Sequence, residues 1–235
     1  MMPVDEFHRQ VATIALGAAA GQGFALGGGN ALITHGIIDR YTEDVDLFTD
    51  QEAGVEIAAD VVEAALHDAG LETERRDKTA GLADIFPGMG EGLAEWIVTA
   101  PGGEQMMLQM AYFDRTRSPV IMDIGPVLHP EDVLGGKVCA LASRALERDY
   151  IDTAAALEHY SVDQLIGFAR RLDPGLTDRD FADAGRRLDR MHDGLFTRYG
   201  LTQDDIARLR HGLAGWPRVA PQRQPAPKSD RQAEH

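Results

Sequence analysis

Cysteine and long apolar runs are scarce in this sequence of 235 residues. The single cysteine, Cys139, cannot form an internal disulfide, which fits a reducing compartment. It lies in an apolar helical stretch, and we interpret it as a core residue. No run of 18 or more apolar residues occurs, and the N-terminus MMPVDEFHRQ lacks a basic region followed by an apolar one. We therefore expect a cytoplasmic protein without a membrane span or a secretory signal.

Basic residues are few in the first two thirds of the chain. Residues 1–160 contain 10 Lys and Arg against 27 Asp and Glu, a balance of −17, whereas residues 161–235 contain 13 against 11, a balance of +2. Phosphate affinity comes largely from basic side chains, so the composition disfavours general nucleic-acid binding. A polynucleotide would need metal ions or a local basic face, for which the C-terminal third is the better candidate.

The composition of 44% hydrophobic and 26% charged residues is typical of a globular protein of one or two domains. Periodicity predicts helices over residues 4–20 and 52–69, a short strand in GFALGGGN and a strand in DVDLFT. Short strand-like pieces follow between 71 and 124, with APGGE as a hairpin connection: LETERRD, LADIFPG, EWIVTA, QMMLQMAYF and PVIMDI. Helices are predicted after Pro130 over residues 130–147, 149–159, 161–172, 177–192 and 202–212.

This pattern predicts a mixed α/β domain over residues 1–128 and a helical domain over 129–215. The tail, residues 216–235, has almost nothing to bury, which indicates disorder.

Two aspartates share one side of the strand DVDLFT. Because side chains at positions i and i+2 of a strand point the same way, Asp44 and Asp46 project together. Two neighbouring carboxylates repel each other unless a cation lies between them, and Mg²⁺ is often bound by one or two carboxylates plus substrate phosphates. The pair is therefore a candidate metal site, although an isolated Asp-x-Asp is more often a solvated strand end.

A run of three glycines and a short helix precede the aspartates. Without Cβ atoms, GGG lets backbone N–H groups approach a triphosphate closely, and a helix N-terminus favours anions. The helix is predicted over NALITHGIID, with Asn30 as a possible N-cap. The glycine turn and the aspartates together suggest a site for a metal-chelated nucleoside triphosphate.

The whole segment LGGGNALITHGIIDRYTEDVDLF resembles the signature of the DNA polymerase β-like nucleotidyltransferase superfamily. That signature is an apolar strand, a Gly-Gly or Gly-Ser turn, a short helix, and Asp-x-Asp on the next strand. With His35-Gly36, Arg40 and Thr42, the segment is similar to the AbiEii-type nucleotidyltransferase toxins of type IV toxin–antitoxin systems, which include the mycobacterial MenT toxins. The resemblance implies an α+β fold, in which a polymerase β-like domain with a small twisted mixed sheet is followed by a helical domain that completes the active site. It implies nucleotide binding by Gly28, Gly29, Asn30, Arg40, Thr42 and Lys137.

The resemblance extends over residues 129–157, HPEDVLGGKVCALASRALERDYIDTAAAL. Family members carry a helix with a lysine here, followed by an Arg-Asp-x-x-Asp segment that begins at Arg148 in this sequence. By the resemblance, Lys137 contacts the nucleotide phosphates and Asp149 is an essential catalytic carboxylate. Asp149 and Asp152 could equally be an N-cap and a first-turn acid of a helix.

The helical pattern itself supports a basic stripe. On one continuous helix, Lys137, Arg144 and Arg148 would fall within about 40° of arc, facing the triphosphate. Surface salt bridges with Glu147 and its neighbours are the alternative.

Other polar residues leave alternatives open. A third metal carboxylate on a neighbouring strand is usual in the superfamily, and Asp114 and Asp123 compete for that place. Arg40 could touch phosphate or form a salt bridge at the strand edge. We interpret His35, on a short apolar helix, as structural.

The sequence therefore predicts a nucleotidyltransferase that uses Mg²⁺ or Mn²⁺ to move a nucleoside monophosphate from a nucleoside triphosphate to an acceptor hydroxyl. The resemblance implies a toxin that extends the 3′ end of tRNA and is neutralised by an antitoxin protein. We expect the acceptor to approach along the Arg-rich residues 170–190, RRLDPGLTDRDFADAGRRLDR. Two alternatives are an aminoglycoside-type nucleotidyltransferase with an acidic acceptor pocket, and a non-catalytic module that binds a nucleotide or a partner.

Overall fold

The computed structural model describes residues 4–76 and 92–220. The predicted strand LADIFPG and residues 221–235 of the predicted tail lie outside the described residues. The strands are β1 Ala25–Leu26, β2 Asp44–Thr49, β3 Glu72–Arg75, β4 Leu93–Thr99, β5 Gln105–Tyr112, β6 Val120–Met122 and β7 Gly125–Val127. The helices are α1 Glu6–Ala18, α2 Gly28–Thr34, α3 Gly54–Asp68, α4 Pro130–Ser143, α5 Glu147–Ala156, α6 Val162–Leu172, α7 Asp178–Arg190, α8 Gly194–Thr197 and α9 Gln203–Gly212.

The seven described strands form one sheet in the order β3-β4-β5-β2-β1-β7-β6. Strand β2 lies at its centre, parallel to β5 and antiparallel to β1. Strands β4 and β5 form the predicted hairpin around APGGE, and they pair antiparallel from Leu93–Ala111 to Thr99–Gln105. The sheet is mixed, as the resemblance implied, and its described strands all precede residue 128.

The two faces of β2 have opposite characters. Val45 and Leu47 are fully buried, on the face where α1 and α3 pack. Val11 of α1 and Val62 of α3 are also fully buried, so the apolar stripes of both helices cover this side of the sheet. Asp44 and Asp46 point to the other face because strand side chains alternate. This alternation keeps the carboxylates out of the apolar core.

The helical region differs from the prediction at one junction. Helix α4 ends at Ser143, four residues before the predicted end, and α5 begins at Glu147. Ala145, between them, has a positive φ of 52°, which an α-helix cannot accommodate. The prediction of one helix over 130–147 is therefore wrong, and the stripe argument that assumed it does not hold.

The predicted tail begins later than residue 216. Trp216 is buried, and its indole N–H donates a hydrogen bond of 3.0 Å to the carbonyl oxygen of Phe181 in α7. Arg218 pairs with Asp189 of the same helix at 3.0 Å. These contacts attach residues 216–218 to the helical region. Within 4–76 and 92–220, no helix has the length and apolar character needed to cross a membrane.

Candidate active site

A cleft of about 690 Å³ lies between the second face of the sheet and the helical region. The glycine turn and β2 contribute Gly28, Gly29, Asp44 and Asp46, and the helical region contributes Lys137, Arg144 and Arg148. The remaining lining residues are Arg40, Tyr41, Thr42, Glu43, Phe48, Gln109, Phe113, Leu128, Asp132, Val133, Gly136, Ala140, Glu147, Arg198 and Tyr199. The two halves of the sequence therefore build one site.

The glycine turn packs directly on the Asp46 side chain. Gly28 has a φ of +58°, and a Cβ atom placed on it would lie 1.7 Å from Oδ2 of Asp46. Gly27 donates its N–H to the Asp46 carbonyl oxygen at 2.8 Å, and a Cβ on it would lie 2.3 Å from the Phe48 ring. A side chain at either position would push the turn away from β2. Glycine is thus required to hold the turn against the carboxylate.

Asp44 and Asp46 form a half-buried pair of like charges. Burial, together with the negative charge of Asp44, raises the pKa of Asp46 to about 6. Burial also raises the pKa of Asp44. Both shifts show that the site disfavours two negative charges, which a bound cation would offset. Half-buried carboxylate oxygens that line an open cleft are a donor set that suits Mg²⁺ or Mn²⁺, so the residues present fit the expected metal.

Asn30 does not have the role that the sequence predicted. Helix α2 begins at Gly28 with Gly27 as its N-cap, so Asn30 lies inside the helix. Its buried amide donates to the Asp44 carbonyl oxygen at 2.8 Å and accepts from the Thr42 hydroxyl at 3.0 Å. Asn30 therefore fixes the start of β2 and does not face a nucleotide. Thr42 lines the cleft, but its proton is already donated to Asn30.

Asp152 joins three separate elements of the site. Its carboxylate is fully buried and accepts hydrogen bonds from Arg40 at 2.7 and 2.8 Å. Nζ of Lys137 lies 2.9 Å from Oδ2 of Asp152, the oxygen that also accepts the bond from Nη2 of Arg40. Burial alone would raise the pKa of Asp152, but the charge of Lys137 and the bonds from Arg40 bring it below its ordinary value. Asp152 thus holds both cations at the cleft wall.

Asp149, the carboxylate expected to complete the site, lies elsewhere. It is fully buried, is not part of the cleft wall, and is bound by Arg144 through two contacts of 3.1 Å. It also accepts the Leu146 N–H at 3.1 Å, which is the cap role left open by the sequence. The catalytic assignment of Asp149 is therefore corrected. Asp152, three residues later, is also fully buried and lies behind the cleft wall, where it contacts Lys137.

The two candidates for a third metal carboxylate also lie outside the cleft. Asp114 follows β5 and Asp123 lies in the turn between β6 and β7, and both are exposed. Among residues 4–76 and 92–220, no three His, Cys, Asp or Glu side chains are grouped so that they could hold a metal ion. In register with Asp46 on β5 is instead Gln109, which lines the cleft. The sequence pattern gave no sign of this neighbour because strand register is set by the folded sheet.

Two interpretations from the sequence are confirmed. The imidazole Nε2 of His35 lies 2.9 Å from the Leu128 carbonyl oxygen, and burial lowers the pKa of His35, which is consistent with a structural role. Cys139 is half-buried, and burial raises its pKa to about 11, so it is not an activated thiol.

A group of three arginines lines the helical side of the cleft, and two of them belong to the basic stripe that the sequence indicated. Arg144, Arg148 and Arg198 are the members, and we call them the arginine rim. Arg144 pairs with Asp149 and Arg198 with Glu147, whereas Arg148 forms no ion pair with any described residue.

The arginines of residues 170–190, through which we expected the acceptor to approach, do not line the cleft. Four of them instead form ion pairs: Arg170 with Asp178, Arg171 with Glu131, and Arg179 and Arg186 with Asp183. Of the residues that line the helical side of the cleft, Arg198 and Tyr199 were missed, because the last helices carry no motif that points toward β2.

Comparison with known proteins identifies the family of the chain. The chain matches the family described as nucleotidyl transferase AbiEii toxin, type IV TA system, over residues 15–213. Among solved structures, the fold is similar to JHP933 from Helicobacter pylori, with a TM-score of 0.59, 14% identity, and coverage of 90% of this chain and 92% of that one.

It is also similar to MenT4, a nucleotidyltransferase toxin from Mycobacterium tuberculosis, with a TM-score of 0.56, 14% identity, and coverage of 88% and 82%. A search of curated proteins finds no match. Because the match covers most of the sequence, and the glycine turn, the Asp pair and Lys137 share one cleft, the chain belongs to the AbiEii family of nucleotidyltransferase toxins of type IV toxin–antitoxin systems.

Proposed function

We propose that this enzyme transfers a nucleoside monophosphate from a nucleoside triphosphate to the 3′ hydroxyl of tRNA, with Mg²⁺ or Mn²⁺ as its cofactor. The observation that carries the proposal is the single cleft that holds the Asp pair, the glycine turn, Lys137 and the arginine rim. This cleft would join a site for the metal and the triphosphate to the arginine rim, where the acceptor would enter. We further propose that this reaction is the toxic activity, that it takes place in the cytoplasm, and that a cognate antitoxin protein neutralises it.

The glycine turn and Lys137 would hold the triphosphate. Gly28 and Gly29 present backbone without side chains to the cleft, so phosphate oxygens can approach closely. Helix α2 has only seven residues, so its dipole adds little to this binding. Most of the positive charge comes from Lys137, which Asp152 holds at 2.9 Å. The guanidinium of Arg40 donates hydrogen bonds to Asp152 and to the Tyr41 carbonyl oxygen. Its main role would therefore be to hold Asp152, and with it Lys137, in place.

Asp44 and Asp46 would hold the metal. When bound, Mg²⁺ would offset the paired negative charges and stabilise the charge that develops on the transferred phosphate. The acceptor oxygen bonds to the α-phosphorus, the bond from that phosphorus to the bridging oxygen breaks, and pyrophosphate leaves. The proton of the acceptor hydroxyl passes to a carboxylate of the pair, which acts as the general base.

The arginine rim favours a polynucleotide acceptor over an aminoglycoside. Arg144 and Arg198 are paired with acids, so the charge preference rests on Arg148, which would attract a phosphate backbone and repel a polycationic aminoglycoside. Arg148 has the strongest case because it forms no ion pair with the described residues. This charge pattern supports tRNA rather than the small-molecule alternative.

The test is a transfer assay with purified protein, Mg²⁺, each α-labelled nucleoside triphosphate, and either total tRNA or a panel of aminoglycosides. The Asp46→Asn variant serves as an isosteric control. We expect label in tRNA with the wild type alone and none in aminoglycosides. Label in aminoglycosides but not in tRNA would overturn the acceptor assignment, and equal transfer by Asp46→Asn would overturn the metal assignment.

The toxic role requires a separate test in cells. Expression of the wild type should arrest growth, whereas expression of Asp46→Asn at the same level should not. Equal arrest by both proteins would contradict the proposal that nucleotidyl transfer is the toxic activity.

A further inference from the structure

Three polar side chains form a row across the cleft face of the sheet. Asp46 of β2 is in register with Gln109 of β5, and Gln109 is in register with Glu95 of β4. Residues paired across adjacent strands point to the same face, so the three side chains stand side by side. Glu95 is almost fully buried at 2% exposure, whereas Gln109 is half-buried and lines the cleft. Gln109 therefore stands between the Asp pair and a buried carboxylate.

The amide of Gln109 is oriented by Glu95. Its Nε2 donates a hydrogen bond of 3.0 Å to Oε1 of Glu95. A carboxylate accepts hydrogen bonds, whereas the two ends of an amide differ, so Glu95 selects the orientation in which the NH₂ group faces it. The carbonyl oxygen of Gln109 then turns away from Glu95. No described residue donates a hydrogen bond to that oxygen.

A carbonyl oxygen at this place has the chemistry of a metal ligand. Amide carbonyls, carboxylates and water are the usual ligands of Mg²⁺, Mn²⁺ and Ca²⁺. The grouping of three acidic or His side chains that could supply a third ligand is absent from the described residues. We propose that Gln109 is the third oxygen ligand of the divalent cation held by Asp44 and Asp46, and that Glu95 is the positioning residue that sets its amide. The proposal rests on the metal site of the proposed function.

A neutral third ligand suits the charges already in the cleft. Asp44 and Asp46 are two residues apart on one face of β2, so their negative charges repel each other. A third carboxylate on β5 would add to this repulsion in the metal-free protein. Glu95 places its carboxylate one strand further away, on β4. The arrangement provides three oxygen ligands with only two charges in direct contact with the cation.

The proposal is tested by Mn²⁺ binding to the nucleotide-free protein, measured from the electron paramagnetic resonance signal of free Mn²⁺. We expect Gln109→Leu to raise the Kd by roughly tenfold or more, because removing even a residue that only orients a metal ligand typically costs 10–100-fold in affinity. Gln109→Glu should bind Mn²⁺ more tightly than Gln109→Leu at pH 8. Gln105→Leu is the matched control, because Gln105 lies on the same face of β5 and donates to Thr99 at 3.1 Å, outside the cleft. Its Kd should not change.

The role of Glu95 is tested by comparing two substitutions. Glu95→Leu removes the acceptor and should weaken Mn²⁺ binding about as much as Gln109→Leu, whereas Glu95→Gln removes the charge but keeps an acceptor and should weaken it less. The double variant with leucine at positions 95 and 109 should bind Mn²⁺ like either single variant, because Glu95 acts through Gln109. Circular dichroism of each variant confirms folding before binding is measured.

Different outcomes distinguish this proposal from the proposed function. Wild-type affinity in Gln109→Leu, together with loss of Mn²⁺ binding in Asp46→Asn, overturns the role of Gln109 and leaves the Asp pair as the site. Additive losses in the double variant overturn the positioning role of Glu95. If the wild type binds no Mn²⁺ with or without nucleotide, the metal site and this proposal are both wrong.

Discussion

At the scale of single residues, the ionised carboxylate of Asp46 lowers the stability of the metal-free protein near neutral pH. Its folded pKa of about 6 lies above the ordinary value of 3.8, and burial is the main cause. Between these two pH values the folded protein keeps a proton that the unfolded chain has released. Stability contributed by this residue is therefore present at low pH and falls as the pH rises from about 3.8 to about 6.

Asp46→Asn should stabilise the metal-free protein near neutral pH while abolishing nucleotidyl transfer. The gain at pH 7.5 is expected to be about 3 kcal/mol, since the pKa rises from 3.8 to about 6 and one pKa unit corresponds to about 1.4 kcal/mol, and it should shrink as the pH falls toward 4. Urea unfolding in the presence of a chelator, followed from pH 4 to pH 8, measures it. Asp60→Asn, on the exposed surface of α3, should leave stability unchanged across this range. If the difference in free energy of unfolding between Asp46→Asn and the wild type grew as the pH fell, the raised pKa of Asp46 would be contradicted.

Gly28 is a second residue whose substitution should affect both stability and ligand binding, because there is no room for a side chain at this position. Gly28→Ala is expected to cost about 1–3 kcal/mol and to abolish triphosphate binding, because its φ is +58° and the new methyl group would clash with Asp46. In the interior of α6, Gly167 has no neighbouring atom within 4 Å of an added Cβ, so Gly167→Ala should be neutral or stabilise by up to about 1 kcal/mol. Denaturant titration and fluorescent-nucleotide binding compare the two, and wild-type nucleotide affinity in Gly28→Ala would refute the close approach.

The individual site residues could be predicted where a local rule sets the direction of a side chain. Strand alternation placed Asp44 and Asp46 together, and the structure finds both in the cleft with Gly28 and Lys137. The prediction failed for Asn30, because a polar residue near a helix start can satisfy backbone groups instead of a ligand. Gln109 was missed because its importance comes from its register with Asp46, which no local pattern encodes.

At the scale of elements, Asp152 fastens the helical region to the nucleotidyltransferase sheet. It belongs to α5 and binds Arg40, from the loop before β2, and Lys137 of α4. Removing one partner of a buried charge cluster leaves the others uncompensated, which typically costs about 3–5 kcal/mol. The position of Lys137 in the cleft therefore depends on a residue from another helix.

Asp152→Asn is expected to destabilise the protein by about 3 kcal/mol and to weaken nucleotide binding. Because the pKa of Asp152 is lowered from 3.8, its stabilisation is present above that pH and is lost as the pH falls below it. The difference between wild type and variant should be constant from pH 5 to pH 8 and close in stronger acid. Asp178→Asn, which breaks the exposed pair with Arg170, should cost less than about 1 kcal/mol. Equal costs for the two variants would show that Asp152 is an ordinary surface acid.

The elements themselves were predictable more often than the junctions between them. Apolar periodicity located α1, α3 and the hairpin of β4 and β5, because each buries a regular stripe or alternation. The break after Ser143 was missed, since nothing in the local sequence marks Ala145 for a positive φ. Because of that break, Asp149 contacts Arg144 and the start of its own helix and does not reach the cleft. Asp152 is the carboxylate that contacts Lys137.

At the scale of the whole molecule, the net charge of −15 opposes an anionic acceptor. The arginine rim places positive charge on the helical side of the cleft and so offsets this repulsion locally. Long-range repulsion is screened beyond about 10 Å at an ionic strength of 0.1 M. Binding of tRNA should therefore depend on a few local contacts and show a shallow dependence on salt, unlike a protein with a broad basic surface.

The logarithm of the tRNA association constant should fall with the logarithm of salt concentration with a slope of about −2, as three phosphate contacts with a single strand would give. Arg148→Ala is expected to reduce the magnitude of that slope by about 1 and to weaken binding at all salt concentrations. Arg179→Ala is the control, because Arg179 is 82% exposed on α7, away from the cleft, and should have no effect. Both variants are measured by fluorescence anisotropy with end-labelled tRNA, at salt concentrations from about 50 to about 300 mM. A loss with Arg179→Ala and none with Arg148→Ala would return the acceptor path to the Arg-rich helices, since the contacts would then lie on α6 and α7.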